Sequence, residues 1–410
     1  MKISMIGAVR LPSRESGIDV AIEELSTRMA EMGEDVTVFN HKGAHKVGYN
    51  NIDTPKQDSY EYKGVHVKTA YTVKNKALND PLYYWFATMR AIKCRSEIIH
   101  MHGEISGAVI HQAKKRGKKV VVTIHGLDWK RFKSGSMEAR RYLDYERKIV
   151  QAADAVIVLS QEDKQYFQKT YKRDVKYIPS GISQPVINAP KVIKLKHALN
   201  GDDYILYVGR IVPEKGVHTL VEAYSKSGIE VPLVLAGGNR FSDEYYQTIK
   251  AFAEKFNDKS SRARRKARII MAGFAQGREL EELYSNAVLY VHPSEVEGMS
   301  SSIMEAMSYG NICLVSDIPQ NTAIVEQHGY CFANKDVESL RDSMRDIIGH
   351  LKAIREQPGY SREDICRHII ERYNWDITVR KTLEIYKAVK GIRDTGNTVN
   401  IPSKDQSENV

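Results

Sequence analysis

The sequence predicts an α/β protein with two doubly wound parallel sheets, one in each half of the chain. Short apolar runs of strand length alternate with amphipathic helical segments, the order typical of parallel sheets with right-handed crossovers. The alternation stops over residues 182–200, where prolines and lysines show only weak periodicity, and restarts at Tyr204. Each half is long enough to bury a core of its own. We therefore expect two domains that face each other across a cleft.

Domain limits follow from the same pattern. We expect an N-terminal domain over residues 1–183, an interdomain linker over 184–200 and a C-terminal domain over 201–372. A helix predicted at 373–390 is expected to pack back on the N-terminal domain. Residues 391–410 contain no aromatic side chain and are rich in polar residues, so this tail is expected to be disordered.

In the N-terminal half, the apolar runs that predict strands lie at residues 2–9, 35–40, 65–67, 97–102, 118–125, 155–160 and 175–179. The run at 118–125 is so apolar that its strand is expected to be central in the sheet. A helix over 17–32 ends at Gly33, a residue suited to a left-handed C-cap. An aromatic-rich amphipathic helix is predicted at 81–94, and residues 41–63 are expected to be irregular.

In the C-terminal half, strands are predicted at residues 204–209, 231–236, 268–273, 287–291 and 311–317. Helices are predicted between these strands and after the last of them. Because ligands of open parallel sheets bind outside the carboxyl ends of the strands, the segments that directly follow the strands are the candidate sites.

The composition favours a globular protein and leaves the partner open. The net charge is +10, a balance that suits nucleic acid, an anionic membrane surface or anionic substrates. The apolar runs are too short for a membrane-spanning helix, and the N-terminus lacks the apolar segment of a signal peptide. Four scattered cysteines show no metal-ligand spacing. These features favour the cytoplasm.

Residues 292–310 carry the strongest functional signal. A strand-like run ends at His292, a loop contains Glu297 and Gly298, and serines precede a helical run with Glu305 in it. The first turn of such a helix offers free N–H groups and the positive end of the helix dipole to a phosphate. The two carboxylates add hydrogen-bond acceptors for hydroxyls, so a sugar nucleotide fits. The alternative is an ordinary strand–loop–helix, which is common in α/β proteins.

A second segment, 209–216, also follows a strand and opens a helix. Its sequence is G-R-I-V-P-E-K-G. Arg210 can grip two oxygens of a diphosphate, and Lys215 supplies a point charge. In isolation, a solvated basic loop explains these residues equally well.

Together the two segments resemble retaining family 4 glycosyltransferases of GT-B fold, which have two Rossmann-like domains. The family's usual text is P-S-x-x-E-G-F-G-x-x-x-x-E-A-M-A-x-G, preceded by G-R-x-x-x-E-K-G. The residues that match the first text are Pro293, Ser294, Glu297, Gly298, Glu305, Ala306, Met307 and Gly310. Met299 and Ser300 stand where Phe-Gly is common. The resemblance extends over residues 2–390.

The resemblance implies roles on the donor side. Arg210 and Lys215 would neutralise the donor diphosphate, Glu305 would bind the ribose hydroxyls, and Glu297 would bind the donor sugar. The N–H groups of the donor loop would hold sugar and phosphate; these belong to Gly298, Met299, Ser300 and Ser301. Phe274 stands where the family packs the nucleotide base, with a core aromatic as the alternative.

In the N-terminal half, His125 ends the central strand, a position at which a lone histidine is more often structural or on the surface. The segment T-I-H-G-L-D-W-K-R is similar to a subgroup that includes bacterial rhamnosyltransferases and other polysaccharide-assembly enzymes, which implies that His125 contacts the reacting sugar. Asp128, Lys130 and Arg131 follow and are candidates for the acceptor. Gly17 matches a glycine of the family's first loop, which usually has the text G-G-x-E. The catalytic set is therefore expected to be Glu297, His125, Arg210 and Lys215.

The expected reaction is transfer of a hexosyl group, with rhamnosyl as one option, from a nucleoside-diphosphate sugar to a glycan or lipid-linked acceptor in cell-surface polysaccharide or glycolipid biosynthesis. The sequence has no Asp-x-Asp, so protein cations are expected to replace a metal, and no cofactor is expected. One alternative is another GT-B reaction, a nucleotide-sugar epimerase or a glycan phosphorylase; the phosphorylase would carry pyridoxal phosphate on a lysine. The other is nucleic-acid binding, for which no reader motif is present.

Two basic stretches, 113–119 and 255–268, raise the question of an anionic membrane surface. A solvated face is the ordinary explanation. Contact with anionic lipid, aided by the aromatic and basic helix near residues 81–95, would suit a lipid-linked acceptor. Peripheral association with the inner face of the cell membrane is thus a further expectation.

Overall fold

The structure is a computed structural model that describes residues 1–13, 16–42, 57–73, 76–238, 243–263 and 267–391. Over these ranges the chain forms one sheet of eight strands and one of six. The eight-stranded sheet has the order β3-β4-β2-β1-β5-β6-β7-β8, in which only β3 is antiparallel to its neighbour. The six-stranded sheet has the order β11-β10-β9-β12-β13-β14, and all of its pairs are parallel. The α/β class and the GT-B arrangement predicted from the sequence are confirmed.

The strands of the first sheet are β1 (Lys2–Ile6), β2 (Asp35–His41), β3 (Ser59–Tyr62), β4 (Val65–Ala70), β5 (Ile98–His102), β6 (Lys119–Ile124), β7 (Ala155–Val158) and β8 (Lys176–Tyr177). The helices around it are α1 (Gly17–Glu31), α2 (Lys76–Lys93), α3 (Ile110–Lys115), α4 (Met137–Ala152) and α5 (Gln161–Tyr171). The inner strands β1, β5 and β6 are almost wholly buried, because helices cover both faces of a parallel sheet. Short 3-10 turns lie at Glu104–Ala108 and Asp128–Arg131.

The strands of the second sheet are β9 (Ile205–Val208), β10 (Leu233–Ala236), β11 (Ile269–Gly273), β12 (Leu289–His292), β13 (Cys313–Ser316) and β14 (Tyr330–Phe332). The helices that precede or follow them are α6 (Val192–His197), α7 (Val217–Ser227), α8 (Asp243–Ala263), α9 (Arg278–Ser285), α10 (Ser301–Ser308), α11 (Pro319–Val325), α12 (Val337–Gly349), α13 (Leu351–Arg355), α14 (Arg362–Arg372) and α15 (Trp375–Lys390). A single buried cluster holds this half together.

The last helix, α15, leaves the second half of the chain and packs on the first. Its buried residues Trp375, Val379 and Tyr386 belong to the same core cluster as α1 and β1. The crossing is fixed at its start, where Ile182 pairs with Asn374 in an isolated bridge. The Thr378 hydroxyl also donates to the Pro179 carbonyl over 2.9 Å. The two halves are therefore tied by chain crossings at 182 and 374.

Both sheets reverse their strand order at one point. β1 lies between β2 and β5, and β9 lies between β10 and β12. In doubly wound sheets, ligands bind outside the carboxyl ends of the strands at such points. The loops that follow β1, β5, β9 and β12 are therefore the places where a site is expected.

Three short elements differ from the prediction. Residues 59–62, expected to be irregular, form β3, because Lys63 and Gly64 both take positive φ and close a tight hairpin. Residues 192–197 form α6 within the expected linker. Its first N–H groups are capped by the Glu282 carboxylate, which comes from 90 positions along the chain and leaves no local signal. Residues 330–332 form β14, which is too short to predict by periodicity.

Part of the sequence prediction lies outside the described residues. This holds for most of the tail 391–410 and for residues 43–56 of the segment expected to be irregular. The predicted helix at 81–94 is present but begins earlier, at Lys76, with Pro81 inside it.

Candidate active site

The loop between β12 and α10 is built to present the start of a helix. Ser300 takes an extended backbone conformation, and its hydroxyl accepts a hydrogen bond from the Ile303 N–H, which makes it the N-cap of α10. Ile303, Met304, Ala306 and Met307 anchor the helix in the core. The first N–H groups of α10 therefore point out of the sheet edge, and their helix dipole favours an anion there.

Glu297 lies in this loop with a side chain that is only 8% exposed. Its Oε1 accepts hydrogen bonds from Lys215 Nζ and, over 2.8 Å, from His292 Nε2. Burial alone would raise the pKa of Glu297, but the Lys215 ammonium and the His292 ring hold it well below its usual range. The carboxylate is therefore ionised at physiological pH. Lys215 and His292 both donate to Oε1, so these two bonds leave the other carboxylate oxygen, Oε2, available.

The loop after β9 packs directly on the loop after β12. Gly216 has φ +63, and a Cβ atom at this position would lie 2.1 Å from the Pro293 carbonyl oxygen. The Glu214 carbonyl accepts hydrogen bonds from the Glu295 N–H over 2.9 Å and from the Ser294 hydroxyl over 3.2 Å. Only glycine fits between the two loops, and the contact fixes Lys215 beside Glu297.

Arg210 lies at the carboxyl end of β9 and is the more exposed of the two predicted diphosphate-binding cations. Its guanidinium is 3.5 Å from the Glu214 carboxylate, and its side chain is 42% exposed. Burial lowers the pKa of Lys215, and the nearby Arg210 and Arg131 lower it further, while Glu297 raises it. Arg131 of the N-terminal half and Arg210 of the C-terminal half therefore both lie close enough to Lys215 to affect its charge.

The two halves touch through glycines. A Cβ atom on Gly298 would lie 2.0 Å from the His125 carbonyl oxygen and 2.6 Å from Gly126 Cα. A Cβ atom on Gly17 would lie 3.7 Å from Ser301 Oγ. The N-terminus of α1 and the N-terminus of α10 thus approach each other across the cleft. Both ends carry positive partial charge, an arrangement that an anion between them would stabilise.

The first loop departs from the family text in a way that the structure explains. Ser16 caps α1 by accepting a hydrogen bond from the Asp19 N–H over 3.1 Å. Asp19, which stands in place of the usual Glu, is buried and accepts from the Val9 N–H over 2.8 Å. These contacts hold the start of α1 against Val9, and Gly17 lies at the cleft.

His125 follows β6 and is half-buried at the cleft. Its Nε2 is 3.0 Å from Nδ1 of His102, which is fully buried at the end of β5. Burial lowers the pKa of His125 to about 4 and holds that of His102 well below its ordinary value. Both rings are therefore neutral at physiological pH.

The structure also locates the other predicted donor residues. Glu305 lies in α10 and accepts a hydrogen bond from the Tyr284 hydroxyl over 3.1 Å. Met299 packs against the core of the second half, so it supplies its backbone rather than its side chain to the loop. Phe274 directly follows β11 and is half-buried, outside the core cluster formed by its neighbours.

The acceptor candidates share one 3-10 turn at the carboxyl end of the N-terminal sheet. Arg131 pairs with Asp128 over 2.9 Å, and Lys130 lies over the Trp129 ring. Asp128 raises the pKa of Arg131, and Glu297 and Glu214 in the second half raise it further. The charges of Glu297 and Glu214 therefore reach Arg131 across the cleft. Burial raises the pKa of Asp163, and it is this pKa that the charge of Lys130 lowers.

Two buried carboxyl groups, Glu104 and Glu146, lie behind the Asp128–Arg131 turn. Glu104 accepts a hydrogen bond from the Asp128 N–H over 3.1 Å, and Glu146 accepts from the hydroxyls of Tyr166 and Tyr171. Burial raises the pKa of both groups, and the charges of Asp128 and Glu146 raise the pKa of Glu104 further. One oxygen of each carboxyl finds no donor in the described part of the chain. We therefore expect the two carboxyl groups to keep a proton at neutral pH.

Sequence reasoning missed His292, His102 and this carboxyl pair. His292 is fully buried and bonds to Glu297, Ser300 and Tyr290, so it orders the whole loop. Its position as the last residue of a strand directly before the motif was the available signal. In the described ranges, no group of three or more His, Cys, Asp or Glu side chains has the geometry of a metal site.

Comparison with known proteins identifies the family. Residues 16–184 match glycosyltransferase family 4, and residues 191–358 match the glycosyl transferases group 1. The chain belongs to the family 4 glycosyltransferases. An uncharacterised glycosyltransferase of Bacillus subtilis is 28% identical over 54% of this chain, and the match spans 59% of that relative's own length.

Solved structures agree on the fold of this glycosyltransferase. Sucrose-phosphate synthase from Thermosynechococcus elongatus superimposes with a TM-score of 0.77 at 21% identity, over 95% of this chain and 99% of that one. Anabaena HepE, solved in complex with UDP and glucose, gives 0.73 at 14% identity, over 95% and 100% of the two chains. Both likenesses concern the architecture.

None of the helices described in this glycosyltransferase has the length and apolar character needed to cross a bilayer.

The glycine contact between the halves gives a first prediction. We expect Gly298→Ala to disrupt the approach of the two domains, because the new methyl group would meet backbone atoms that cannot move aside. Overpacking of this kind costs about 1–3 kcal/mol. Hydrogen–deuterium exchange should therefore become about tenfold faster, or more, in peptides covering residues 120–130 and 293–308.

The matched control for this substitution is Gly349→Ala at the end of α12, where no atom lies within 4 Å of the added Cβ. It should leave exchange in both peptides unchanged. Exchange in Gly298→Ala at the wild-type rate would show that the two glycines do not set the interdomain contact.

The buried carboxyl pair gives a second prediction, on the pH dependence of stability. As pH rises above the ordinary glutamate pKa of about 4.3, the unfolded chain loses a proton that the folded pair keeps, so the free energy of unfolding falls. Glu104→Gln mimics the protonated acid and removes one of these ionisations. Its melting temperature, relative to the wild type, should therefore rise between pH 5 and pH 8.

The control is Glu138→Gln, at the exposed start of α4, whose difference from the wild type should not change with pH. If the difference for Glu104→Gln is also constant from pH 5 to pH 8, the pair does not keep a proton at neutral pH.

Proposed function

We propose that this glycosyltransferase transfers a hexosyl group, with retention of anomeric configuration, from a nucleoside-diphosphate sugar to a glycan or lipid-linked acceptor. The observation that carries the proposal is the ion-paired Glu297 and Lys215 at the start of α10, in a cleft where a second helix N-terminus approaches. Anabaena HepE, a structural neighbour, is described with UDP and glucose bound, which supports a nucleotide sugar. Assembly of cell-surface polysaccharide or glycolipid is the proposed context.

The diphosphate of the donor fits between the two helix starts. As the glycosidic bond breaks, negative charge grows on the β-phosphate of the leaving group. Fixed cations and helix N–H groups aimed at that point stabilise the charge in the transition state more than in the ground state. Arg210, Lys215 and the N–H groups of residues 298–301 would supply this stabilisation without a metal or a cofactor.

Glu297 suits a sugar-binding role. Its Oε1 is engaged by Lys215 and His292, and the ionised carboxylate can accept hydroxyl hydrogen bonds through the remaining oxygen. A carboxylate held in a buried ion pair is a weak nucleophile, since its charge is already compensated. These contacts support a same-face route through an ion pair over a covalent glycosyl-enzyme.

The N-terminal half would supply the remaining contacts. His125 would contact the reacting sugar, and Asp128, Lys130 and Arg131 would meet the acceptor. The turn that carries these three residues lies at the same sheet edge as His125, and Arg131 is electrostatically coupled to Glu297. This coupling supports an acceptor position next to the donor sugar.

The donor site is tested by thermal shift with UDP-, GDP-, dTDP- and ADP-sugars in the presence of EDTA. A ligand at 100 times its dissociation constant should stabilise the protein by about 2.7 kcal/mol. One nucleotide class should give this shift, and Glu305→Ala should abolish it, because the carboxylate that binds the ribose hydroxyls is lost.

The control is Glu295→Ala, on the neighbouring loop, where the carboxylate pairs with Lys335 over 2.8 Å and has no proposed ligand contact. It should keep the shift. An unchanged shift in Glu305→Ala would place the nucleotide elsewhere, and the absence of a shift with every donor would count against the transferase function.

We further propose that the N-terminal half associates with an anionic membrane surface. The exposed apolar residues of α2 include Leu78, which is 54% exposed, and Trp85, which is 41% exposed. Near the 3-10 turn Asp128–Arg131, which carries the proposed acceptor residues, Met137 is 83% exposed. The net charge of +10 complements anionic lipid, and a surface at this end of the molecule would suit a lipid-linked acceptor.

The two basic stretches singled out in the sequence contribute less to this surface than expected. Lys114 and Lys119 pair with Asp154, and Lys118 donates to the Ser96 carbonyl. The second stretch, 255–268, lies partly outside the described residues. Arg268, at its end, donates to the carbonyls at 197 and 198. The exposed face of α2 is therefore the stronger support.

Vesicle flotation tests this surface. The wild type should float with vesicles containing phosphatidylglycerol at low salt and should not float with pure phosphatidylcholine. The double variant Leu78→Glu/Trp85→Glu should lose most of this binding, because it removes apolar contact and adds repulsion. Leu195→Glu, at an 89% exposed position on α6, is the matched control. Equal flotation of both variants would exclude α2 as the contact.

A further inference from the structure

Three histidines and a tyrosine form a continuous line behind the predicted catalytic histidine. The Tyr386 hydroxyl, from α15, is 2.6 Å from His100 Nδ1, and His100 Nε2 is 2.7 Å from Thr123 Oγ1. The rings of His100 and His102 are 4.1 Å apart between centroids. The line ends at His125, whose Nε2 is 3.0 Å from Nδ1 of His102.

Within this line, His100 and His102 differ in their hydrogen bonds. Both nitrogens of His100 have protein partners. In His102, Nδ1 is bonded to His125, while Nε2 is buried and has no partner in the described part of the protein.

The buried Nε2 of His102 indicates where the proton lies. A neutral imidazole has one N–H and one lone pair. Buried N–H groups without an acceptor are rarer than buried acceptors without a donor, because the lost hydrogen bond is costlier to leave unmade. We therefore place the proton of His102 on Nδ1, directed at His125, which leaves Nε2 as the bare nitrogen.

This placement fixes the proton of His125 as well. If His102 Nδ1 donates, His125 Nε2 must accept and cannot carry a proton. The His125 proton is then on Nδ1, a nitrogen that forms no hydrogen bond with the described protein groups. Burial keeps the pKa of His125 low, at about 4, so the ring carries a single proton at physiological pH. His125 thus presents an N–H donor away from His102.

We propose that His102 is a positioning residue, which donates a hydrogen bond from Nδ1 to His125 Nε2 and thereby keeps the His125 proton on Nδ1. The consequence for catalysis rests on the proposed function, in which His125 meets the reacting sugar. A tautomer fixed in advance would offer a donor to a sugar oxygen with no reorganisation when the donor substrate binds.

The tautomer can be measured without a substrate. In the full chain labelled with ¹⁵N-histidine, long-range ¹H–¹⁵N correlation spectra report which nitrogen of each ring is protonated. His125, assigned from the signal lost in His125→Asn, should show a protonated Nδ1 and a bare Nε2 at neutral pH. A protonated Nε2 on His125 in the wild type would overturn the proposal.

Two variants separate positioning from packing. His102→Asn keeps an N–H donor at the same bond distance from Cβ as Nδ1, so the His125 tautomer should be retained. His102→Leu fills the space but donates nothing, so His125 should shift toward Nε2–H, the tautomer favoured by free imidazoles. Retention of Nδ1–H in His102→Leu would also overturn the proposal.

Tyr386→Phe is the control in the same line, because it removes the bond to His100 and leaves the His102–His125 contact intact. It should lower stability without moving the His125 proton. Once the donor panel identifies a substrate, kcat in His102→Leu should fall by about tenfold to a hundredfold, with little change in KM, and His102→Asn should restore it. A tautomer shift without a fall in kcat would contradict the catalytic role of His125 and leave the hydrogen bond as assigned.

Discussion

The contact between Gly126 and Gly298 is the constraint on which the site depends. At this point the backbone of the N-terminal half lies against the backbone of the donor loop, with no room for a Cβ atom on Gly298. The approach places His125 beside Glu297 and brings Gly17 toward Ser301. Residues of both halves meet at the cleft: the N-terminal half contributes the Asp128–Arg131 turn and the histidines, and the C-terminal half contributes the paired Glu297 and most of the cations.

Much of this site could be predicted from the sequence because its residues lie close together along the chain. Glu297, Gly298 and Glu305 belong to one strand–loop–helix unit. The serine before an apolar run of helical spacing indicates the start of α10 without any other information. Arg210 and Lys215 belong to a second unit of the same kind. Local signals of this sort survive in the sequence, and the structure places both units at the carboxyl ends of adjacent strands, β9 and β12.

The parts that could not be predicted depend on residues that are far apart in sequence. Glu104 and Glu146 are both buried although they lie on a 3-10 turn and on α4, and nothing local marks either as buried. The cap of α6 comes from Glu282, so the helix has no N-cap signal of its own. His102 lies on an ordinary apolar strand, and only its distance to His125 gives it significance.

The charges around the cleft occur in pairs, and the pairing determines which of them is available to a ligand. Lys215 pairs with Glu297, Arg131 with Asp128 over 2.9 Å, and Arg210 with Glu214 over 3.5 Å. The carboxylates allow three cations to converge without strong mutual repulsion. A long, exposed ion pair contributes little to stability, whereas a buried one is costly to break. Under the proposed function, Arg210 is therefore the cation that can turn to a diphosphate at the smallest cost, while Lys215 would contact the ligand from its place beside Glu297.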